Sequence, residues 1–332
     1  MRHPLLPLLL SGLVIATSPA LAQTPDDEVT DRAITQVIVP QVQAFAKAAT
    51  ALSRASGDSC DPARLRAPFD QAFDAWMAVQ HLDLAPMQTD GRAQAINPWP
   101  DPKGRLAPTQ DALIEASDPV VTDPAAFAHL PVAARGFPAI ERLLLGAPMP
   151  EGYRCSLLQA TAADLAAQAQ AIDTDWTEGF AADLIAPGPD KPFLTQAEVR
   201  QALLTQLVIG LDRLGDHRLG RPLGSFHKPR PDRAEAIASG RSLRNIRQAL
   251  TGLRSLATAL APDAPQTAAA FDRAERLADT LNDPVLAGVA TPQGRLRVEI
   301  LQQAIHAARD AAMSEMASQL GVTLGFNAAD GD

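Results

Sequence analysis

The sequence predicts an all-α protein made of two similar four-helix bundles packed side by side. Apolar residues recur at the 3.6-residue spacing of amphipathic helices, and the alternating pattern of strands is rare. Aromatic residues make up only 4% of the chain, while alanine occurs throughout. Clusters of proline and glycine separate the periodic stretches, so that each half of the chain holds about four long helices.

The first segment, residues 1–22, has the pattern of a secretory signal peptide. Arg2 and His3 precede an apolar stretch, and Ala20-Leu21-Ala22 forms a small-x-small cleavage site. We expect cleavage near Ala22 and export of the mature chain to the periplasm. No later stretch is long and apolar enough to predict a membrane span.

Residues 23–185 are predicted to form the first bundle. Its clearest helix carries apolar residues that step by three or four positions for more than twenty residues. That stripe is Leu158, Ala162, Leu165, Ala169, Ile172, Trp176 and Phe180. Two earlier stripes are Val37, Phe45, Ala48 and Leu52, and then Leu65, Phe69, Phe73, Trp76 and Val79.

Within this bundle, residues 87–132 differ from their surroundings. The segment is rich in Pro, Asp and Asn, contains INPWPDPKGR, and predicts only a short helix around Thr109–Ser117. A connection of that length inside a compact domain is usually functional or disordered. Because it carries a tryptophan and a basic pair, Lys103 and Arg105, we expect an ordered, functional loop.

Residues 186–332 are predicted to form the second bundle, beginning after the break APGPDKP at 186–192. Four apolar stripes follow at helical spacing. They are Val199, Leu203, Leu207, Leu211 and Leu214; Leu243, Ile246, Leu250, Leu253, Leu256 and Leu260; Phe271, Ala274, Leu277, Leu281 and Val285; and Leu296, Ile300, Ala304, Ala308, Ala312, Met316 and Leu320.

Charge and cysteine content narrow the class of protein. The formal net charge is −9, which argues against nucleic acid and anionic membranes as partners. The two cysteines, Cys60 and Cys155, are expected to form a disulfide, because free thiols rarely persist in an oxidising compartment. The alternative is two separate buried thiols.

Familiar catalytic signatures are missing from the sequence. It contains no HExxH, GxSxG, Walker or GxGxxG motif, and no two histidines are spaced four apart on a helix. A zinc site built from histidines is therefore not indicated. His217 and His227 occupy one loop region, where either a shared ligand role or two solvated side chains would fit.

The stretch GFPAIERLLLG, residues 136–146, places one carboxylate in an apolar helical run. Gly136 permits a tight entry, and Pro138 suits the first turn of a helix, where its missing N–H costs nothing. Glu141 could pair with the neighbouring Arg142 or Arg135, or complement the helix start. Alternatively it faces a crevice between the bundles, with a cationic partner, since a buried lone charge is costly. The candidates for that partner are Arg241, Arg105 and Lys103.

The stretch SGRSLRN, residues 239–245, precedes the Leu243–Leu260 stripe. Ser239 is a candidate N-cap for this helix. Ser242, Arg244 and Asn245 also gather donors at the helix start, which is a natural receiver of an anion or a carboxylate. Both interpretations are compatible.

Four stretches together resemble the imelysin-like family: GFPAIERLLLG, WPDPKGR, SGRSLRNI and the terminal GVTLGFNAADGD. The similarity runs from about residue 30 to Asp332. It implies two similar four-helix bundles, the imelysin-like fold, with a functional site at their interface. The family comprises secreted or envelope proteins of bacteria linked to iron uptake, once grouped with metallopeptidases.

The family motif GxHxxE is present here as GxPxxE, with Gly136, Pro138 and Glu141 at its positions. Proline offers no metal ligand, so the resemblance does not support a zinc-activated water. It implies a site around Glu141, with neighbours from the WPD loop and from the second bundle, whereas Asn327 and Asp330 belong to the terminal motif and are structural candidates. Those neighbours are Trp99, Asp101, Arg105, Ser239, Arg241 and Ser242.

The resulting hypothesis is a non-enzymatic periplasmic protein of iron acquisition. It would bind a metal species such as iron or another divalent metal, a small ligand or a partner across the interbundle crevice, with Glu141 supplying negative charge and Arg241 orientation. Partners would be other iron-uptake envelope proteins. The alternatives are a metallopeptidase, which Pro138 disfavours, and an envelope docking module.

Overall fold

The structure of the protein, a computed structural model, describes residues 25–146 and 151–323. Within these residues the chain forms helices and no β-strand, and one isolated bridge pairs Ser225 with Lys228. The predicted all-α class is confirmed. The predicted leader at 1–22 and the terminal residues Asn327 and Asp330 lie outside the described residues.

Among the described residues, the first half has three long helices of 18 to 23 residues, three of 9 to 11 residues, and four of four or five residues. In chain order they are α1 (Pro25–Ala33), α2 (Val39–Asp58), α3 (Pro62–Val79), α4 (Ala85–Gln88), α5 (Arg92–Ile96), α6 (Leu106–Ala116), α7 (Pro124–Ala128), α8 (Gly136–Leu145), α9 (Tyr153–Asp175) and α10 (Ala181–Ile185). A π-helical segment, Ile34–Ile38, joins α1 to α2, and a second, Trp176–Phe180, joins α9 to α10.

The second half likewise consists of long helices and short helical turns. Its helices are α11 (Gln196–Asp212), α12 (Gly220–Leu223), α13 (Ser242–Leu260), α14 (Pro265–Thr280), α15 (Pro292–Ala311) and α16 (Ala317–Gln319). π-Helical segments join α11 to α12 at Arg213–Leu219 and α15 to α16 at Ala312–Met316.

Eight of the helices pack in two groups of four. In the first group α2 packs against α3 and α9, and α8 packs against α9. In the second, α13 and α15 each pack against α11 and α14. The groups meet where α3 lies along α13, and Gly252 of α13 allows this approach because a Cβ there would overlap the carbonyl of Ala78.

The start of the chain packs across the two groups. α1 belongs to the predicted first bundle, yet it packs against α11 and α13 of the second group. Ile34 and Ile38, in the adjoining π-helical segment, are fully buried. The boundary between residues 185 and 186 stays a prediction.

The prediction that residues 87–132 form a long loop with one short helix is wrong about their secondary structure. The expected short helix exists as α6, but α5, α7 and three 3₁₀ turns lie in the same segment. Asp118 and Asp123 accept backbone N–H groups as N-caps, each directly before a proline that begins a helical turn. The Asp-Pro pairs that resemble loop punctuation therefore begin helical turns.

Two further predictions have clear outcomes. The Cys60–Cys155 disulfide is confirmed, with Cα atoms 5.7 Å apart, and it ties the end of α2 to α9. Leu296, predicted as a core residue of the last helix, is 55% exposed, because α15 buries its neighbours Val298 and Leu301 instead. No helix among the described residues has the length and apolar character needed to cross a membrane.

Candidate functional site

Gly136 begins α8 in a conformation that other residues rarely adopt. Its φ is +72°, and a Cβ at this position would overlap the carbonyl oxygens of Ala95 and Ile96 at the end of α5. Both the left-handed backbone and the close approach require glycine. The glycine of the motif therefore fixes how α8 docks on α5.

Pro138 is the third residue of α8, in the first turn as the sequence predicted. The first four N–H groups of a helix have no partner within it, so proline costs no hydrogen bond here. Its neighbour Phe137 is fully buried and stacks almost parallel to Phe73 of α3, with ring centres 4.2 Å apart. The motif thus anchors α8 to α3 as well.

Glu141, one turn further along α8, is buried and points toward the second group of helices. Its Oε1 accepts a hydrogen bond from the backbone N–H of Ser239 at 2.7 Å. Burial raises the pKa of this carboxyl; hydrogen bonding to Ser239 offsets part of the rise, nearby Glu235 adds to it, and Arg241 opposes it. Among the described residues Glu141 forms no ion pair with Arg142 or Arg135.

Those two arginines have other partners. Arg142 donates to Gln110 and Asp111, and Arg135 forms a bidentate pair with Asp164 in which both side chains are buried. The simplest sequence interpretation, a local salt bridge for Glu141, is therefore wrong.

The turn before α13 receives Glu141, but Ser239 does not cap the helix as predicted. α13 begins at Ser242, three residues later, and the Ser239 hydroxyl donates to the carbonyl of Ala236. Ser242 donates to the carbonyl of Glu235 at 2.5 Å. A guanidinium from α3, that of Arg66, donates to the Ser239 carbonyl. These bonds shape the turn so that its Ser239 N–H faces Glu141.

Arg241 is buried at the same turn and pairs with α3 rather than with Glu141. Its guanidinium donates to Asp70 at 2.8 Å and to Asp74 at 2.5 Å, and lies 5.0 Å from the ring centre of Phe73. Arg244, one turn along α13, also pairs with Asp74. The predicted role of Arg241 as direct partner of Glu141 is corrected: it joins α3 to α13.

A second buried carboxylate, Glu235, lies beside this turn and was not singled out from the sequence. Arg218 binds it with two hydrogen bonds, Nε to Oε2 at 2.9 Å and Nη2 to Oε1 at 3.2 Å. Asn97 and Asn245 each donate to it at 2.9 Å. Burial alone would raise the pKa of Glu235, but the charge of Arg218 and these donors outweigh burial and lower it.

Next to this pair lies a cavity of about 250 Å³ between the two groups of helices. We call it the interbundle cavity. Trp76, Gln80, Asn97 and Trp99 contribute from the first half of the chain, and Arg213, His217 and Arg218 from the second. The Trp99 ring centre is 5.5 Å from the guanidinium of Arg218 and 5.8 Å from that of Arg221. Trp99 is thus the predicted site residue that lines this cavity, whereas Glu141 does not line it.

The π-helical segment Arg213–Leu219 explains how its residues share the cavity. In an α-helix, residues five apart point roughly 140° apart around the axis. The i→i+5 hydrogen bonding of π-helical turns instead brings such residues over one another. Arg213 and Arg218 can therefore face the same cavity together with His217.

Asp101 and Arg105 lie elsewhere. The Asp101 carboxylate accepts the backbone N–H groups of Arg105 and Leu106, both at 2.9 Å, and so caps the start of α6. Asp101, Lys103 and Arg105 are exposed and line an adjoining groove along the WPD loop, which shares Gln94, Asn97 and Trp99 with the interbundle cavity. The predicted grouping of Asp101 and Arg105 with Glu141 does not occur.

A metal site would need three or more ligating side chains close together within residues 25–146 and 151–323. That part of the chain holds no cluster of three or more His, Cys, Asp or Glu side chains placed to hold a metal ion. His217 and His227 are both exposed; His217 lines the interbundle cavity, whereas the ring of His227 packs against Phe226.

Comparison with known proteins is consistent with this architecture. The family model described as imelysin (Peptidase_M75) matches residues 35–312. "Iron-regulated protein A" of Synechococcus elongatus is 24% identical over 308 residues, which cover 83% of this chain and 82% of that protein.

Two solved structures share the fold. An imelysin-like protein from Psychrobacter arcticum superposes with a TM-score of 0.74 at 17% identity, covering 91% of this chain and 97% of that one. A candidate iron-regulated protein A precursor from Parabacteroides distasonis gives 0.67 at 12% identity, covering 88% and 97%. Because the family model spans most of the sequence and the fold agrees, the chain belongs to the imelysin family.

Proposed function

We propose that the protein is an exported, non-enzymatic component of bacterial iron acquisition that binds a small ligand in the interbundle cavity. One observation carries the proposal: the walls of that cavity come from both halves of the chain. Trp76, Asn97 and Trp99 line it together with Arg213 and Arg218. Clefts between helical units, lined by aromatic groups and a few convergent polar groups, are typical ligand sites.

The link to iron has independent support. The curated relative bears the name "Iron-regulated protein A", and this chain aligns with most of its length. Export is supported by the leader-like residues 1–22, which end in Ala20-Leu21-Ala22. Periplasmic location and contact with other iron-uptake envelope proteins belong to the same proposal.

A metallopeptidase has less support. A catalytic zinc needs three protein ligands and an open position. In this chain Pro138 stands where the family motif has histidine, and Glu141 is engaged by the Ser239 N–H. Chelator-sensitive cleavage of a protein substrate, abolished in Glu141→Ala, would favour the peptidase.

Growth of the native host on limiting iron tests the proposal. A deletion strain would be complemented with the wild-type chain, with Trp99→Ala, or with the control Lys103→Ala, an exposed change on the same loop. We expect the wild type and Lys103→Ala to restore growth and Trp99→Ala to fail at equal protein abundance. Equal growth of all three strains would contradict a role for the cavity.

A further inference from the structure

We infer that the turn at residues 224–230 is a peripheral membrane contact, which inserts Phe226 between the headgroups of a bilayer that contains anionic phospholipids. We call this segment the basic turn. The inference goes beyond the proposed function, because the residues of the turn do not line the interbundle cavity and the contact does not depend on what that cavity binds. It follows from the exposure of the aromatic ring, the fixed shape of the turn and the charges around it.

The aromatic ring of the basic turn lies outside the core. Phe226 is 76% exposed, more than any other large apolar side chain in the described part of the chain. Its ring neighbours are polar: the ring centre of His227 lies 5.2 Å away, and the guanidinium of Arg295 lies 5.7 Å away. Transfer of an apolar ring from water into an apolar medium is favourable. The ring is therefore available to a surface outside the protein.

The backbone of the turn is held in a defined shape. Gly224 has a φ of +55°, and a Cβ there would overlap the carbonyl oxygen of Lys228. The Lys228 N–H donates to the carbonyl of Ser225 at 3.1 Å. From α15, Arg295 donates to the carbonyls of Leu223 at 2.6 Å and of Ser225 at 3.3 Å. Because the turn is already ordered, little conformational entropy is lost when it binds.

Positive charge is concentrated around the turn. Residues 217–233 hold five lysines and arginines and one acidic residue, in a chain of net charge −9. The five are Arg218, Arg221, Lys228, Arg230 and Arg233, and the acidic residue is Asp232. Arg218 is buried with Glu235, and Arg230 pairs with Asp232. Lys228 and Arg233 are exposed and form no ion pair among the described residues, so their charges are free to meet an anionic surface.

The carboxylates next to the turn are already paired. Asp232 accepts two hydrogen bonds from Arg230, at 2.9 and 2.7 Å, and Glu299 pairs with Arg295 at 2.7 Å. At physiological salt, exposed charges more than about 8 Å apart are largely screened from one another. The net charge of −9 argues against anionic membranes for the chain as a whole, but the nearby cations dominate at this turn.

The composition of the turn favours a bilayer over a soluble acidic protein. Phe226 is a single apolar group, and the exposed residues beside it, Ser225, His227 and Lys228, are polar. A stable protein interface buries roughly 800 Å² on each partner around an apolar centre, which one ring does not supply. At a membrane surface one inserted ring and a few cations that meet phosphate groups give weak, reversible binding.

Cosedimentation with vesicles tests the inference. The purified protein would be mixed with vesicles of phosphatidylglycerol and phosphatidylcholine in equal parts, or of phosphatidylcholine alone. We expect binding to the anionic vesicles to be at least about tenfold tighter, and to weaken as salt is added. All variants share one N-terminus, so differences between them report the substituted positions alone.

Two variants of the turn separate the ring from the charges. Phe226→Ser and the double variant Lys228→Gln/Arg233→Gln should each weaken binding to anionic vesicles about tenfold. Thermal melts would establish that each variant is folded.

Matched controls lie elsewhere in the chain. Leu194→Ser removes another exposed apolar side chain, which is 62% exposed, and Lys47→Gln/Arg54→Gln removes two exposed cations from α2. Both should bind anionic vesicles as the wild type does.

Insertion of the ring has a readout of its own. In Phe226→Trp, the fluorescence should be quenched by brominated lipid chains more strongly than in Leu194→Trp, because only the first tryptophan enters the bilayer. Equal quenching in the two variants would contradict insertion of the turn.

Two further results would overturn the inference. One is equal binding to anionic and neutral vesicles, or to neither. The other is a preference for anionic vesicles that Phe226→Ser and Lys228→Gln/Arg233→Gln leave unchanged. If vesicles do not bind and Phe226→Ser nevertheless fails to support growth on limiting iron, the turn serves a protein partner instead, and the membrane contact is wrong.

Discussion

Glu141 on α8 and the backbone N–H of Ser239, three residues before α13, form a 2.7 Å hydrogen bond that joins the two groups of helices. The carboxylate of the family motif therefore acts across the interface between the halves of the chain. Glu141 is not among the residues that line the interbundle cavity, and the nearby carboxylate Glu235 raises its pKa further.

Substituting Glu141 by Gln and by Ala should have different effects. Gln keeps an oxygen for the Ser239 N–H, whereas Ala leaves this buried donor unpaired. We expect Glu141→Ala to lower the free energy of unfolding by about 2–3 kcal/mol and Glu141→Gln by about 1 kcal/mol or less. Urea denaturation measures both; equal losses would contradict the hydrogen bond.

The difference in stability between Glu141→Gln and the wild type should also depend on pH. Burial raises the pKa of Glu141, so the folded state favours the protonated form, and the wild type loses stability as pH rises through the folded pKa. Gln cannot ionise. The stability of Glu141→Gln relative to wild type should therefore increase from pH 4 to pH 7, and a decrease would be inconsistent with a raised pKa.

The Arg218–Glu235 pair should be strongly coupled. Both side chains are almost fully buried, so removing one leaves the other charge uncompensated, at a cost of about 3–5 kcal/mol. We expect Arg218→Met and Glu235→Leu each to destabilise by this amount, and the double variant by much less than their sum. Additive losses in the double-mutant cycle would argue against direct pairing.

His81 should make stability sensitive to acid. It is buried at the end of α3, neither ring nitrogen has a partner among the described residues, and burial followed by the charge of Arg213 lowers its pKa to about 3. Below pH 6.5 the unfolded chain takes up a proton that the folded chain resists, so stability should fall between pH 6.5 and 3. The loss is about 1.4 kcal/mol per unit of pKa difference.

A His81→Leu variant should lose most of that slope in urea denaturation across this pH range. The exposed His129 provides a matched control, because His129→Leu should leave the slope as in wild type. An unchanged slope in His81→Leu would exclude His81 as its source.

Two glycines offer a matched test of backbone strain. Gly136 has a left-handed backbone, and Gly136→Ala would place a Cβ against the carbonyls of α5. We therefore expect the free energy of unfolding to fall by at least about 1 to 3 kcal/mol. Gly57, in the last turn of α2, has open space around it, and Gly57→Ala should stabilise by about 0.5–1 kcal/mol. Thermal melts should shift in opposite directions; a shift in the same direction would contradict the geometry at Gly136.

The sequence predicts what periodicity can encode and misses what depends on contacts between distant segments. The stripe from Leu158 to Trp176 is a buried helix face, and the position of Pro138 in a first turn is as expected. Glu235 sits in a polar stretch without a regular pattern, and only the folded chain brings it to Arg218, Asn97 and Asn245. Local polarity alone gave no signal for it.

Capping explains the remaining differences. Asp101 looked like a site residue because it follows Trp99-Pro100, yet its carboxylate serves the start of α6. Ser239 looked like a cap because it precedes an apolar stripe, yet α13 starts three residues later. Aspartate and serine can each serve as a helix cap or as a site residue, and the residue at which the helix begins decides which role they take.

Tryptophan fluorescence most directly tests whether the interbundle cavity binds a ligand, because Trp76 and Trp99 line it while Trp176 is buried in the π-helical segment after α9. Titrating the purified protein with the small-molecule fraction of the native host grown on limiting iron should give a saturable fluorescence change that is reduced in Trp99→Phe and largely lost when Trp76 is also replaced by Phe. No saturable change would contradict ligand binding in the cavity, and so would a change that the double variant Trp76→Phe/Trp99→Phe leaves undiminished.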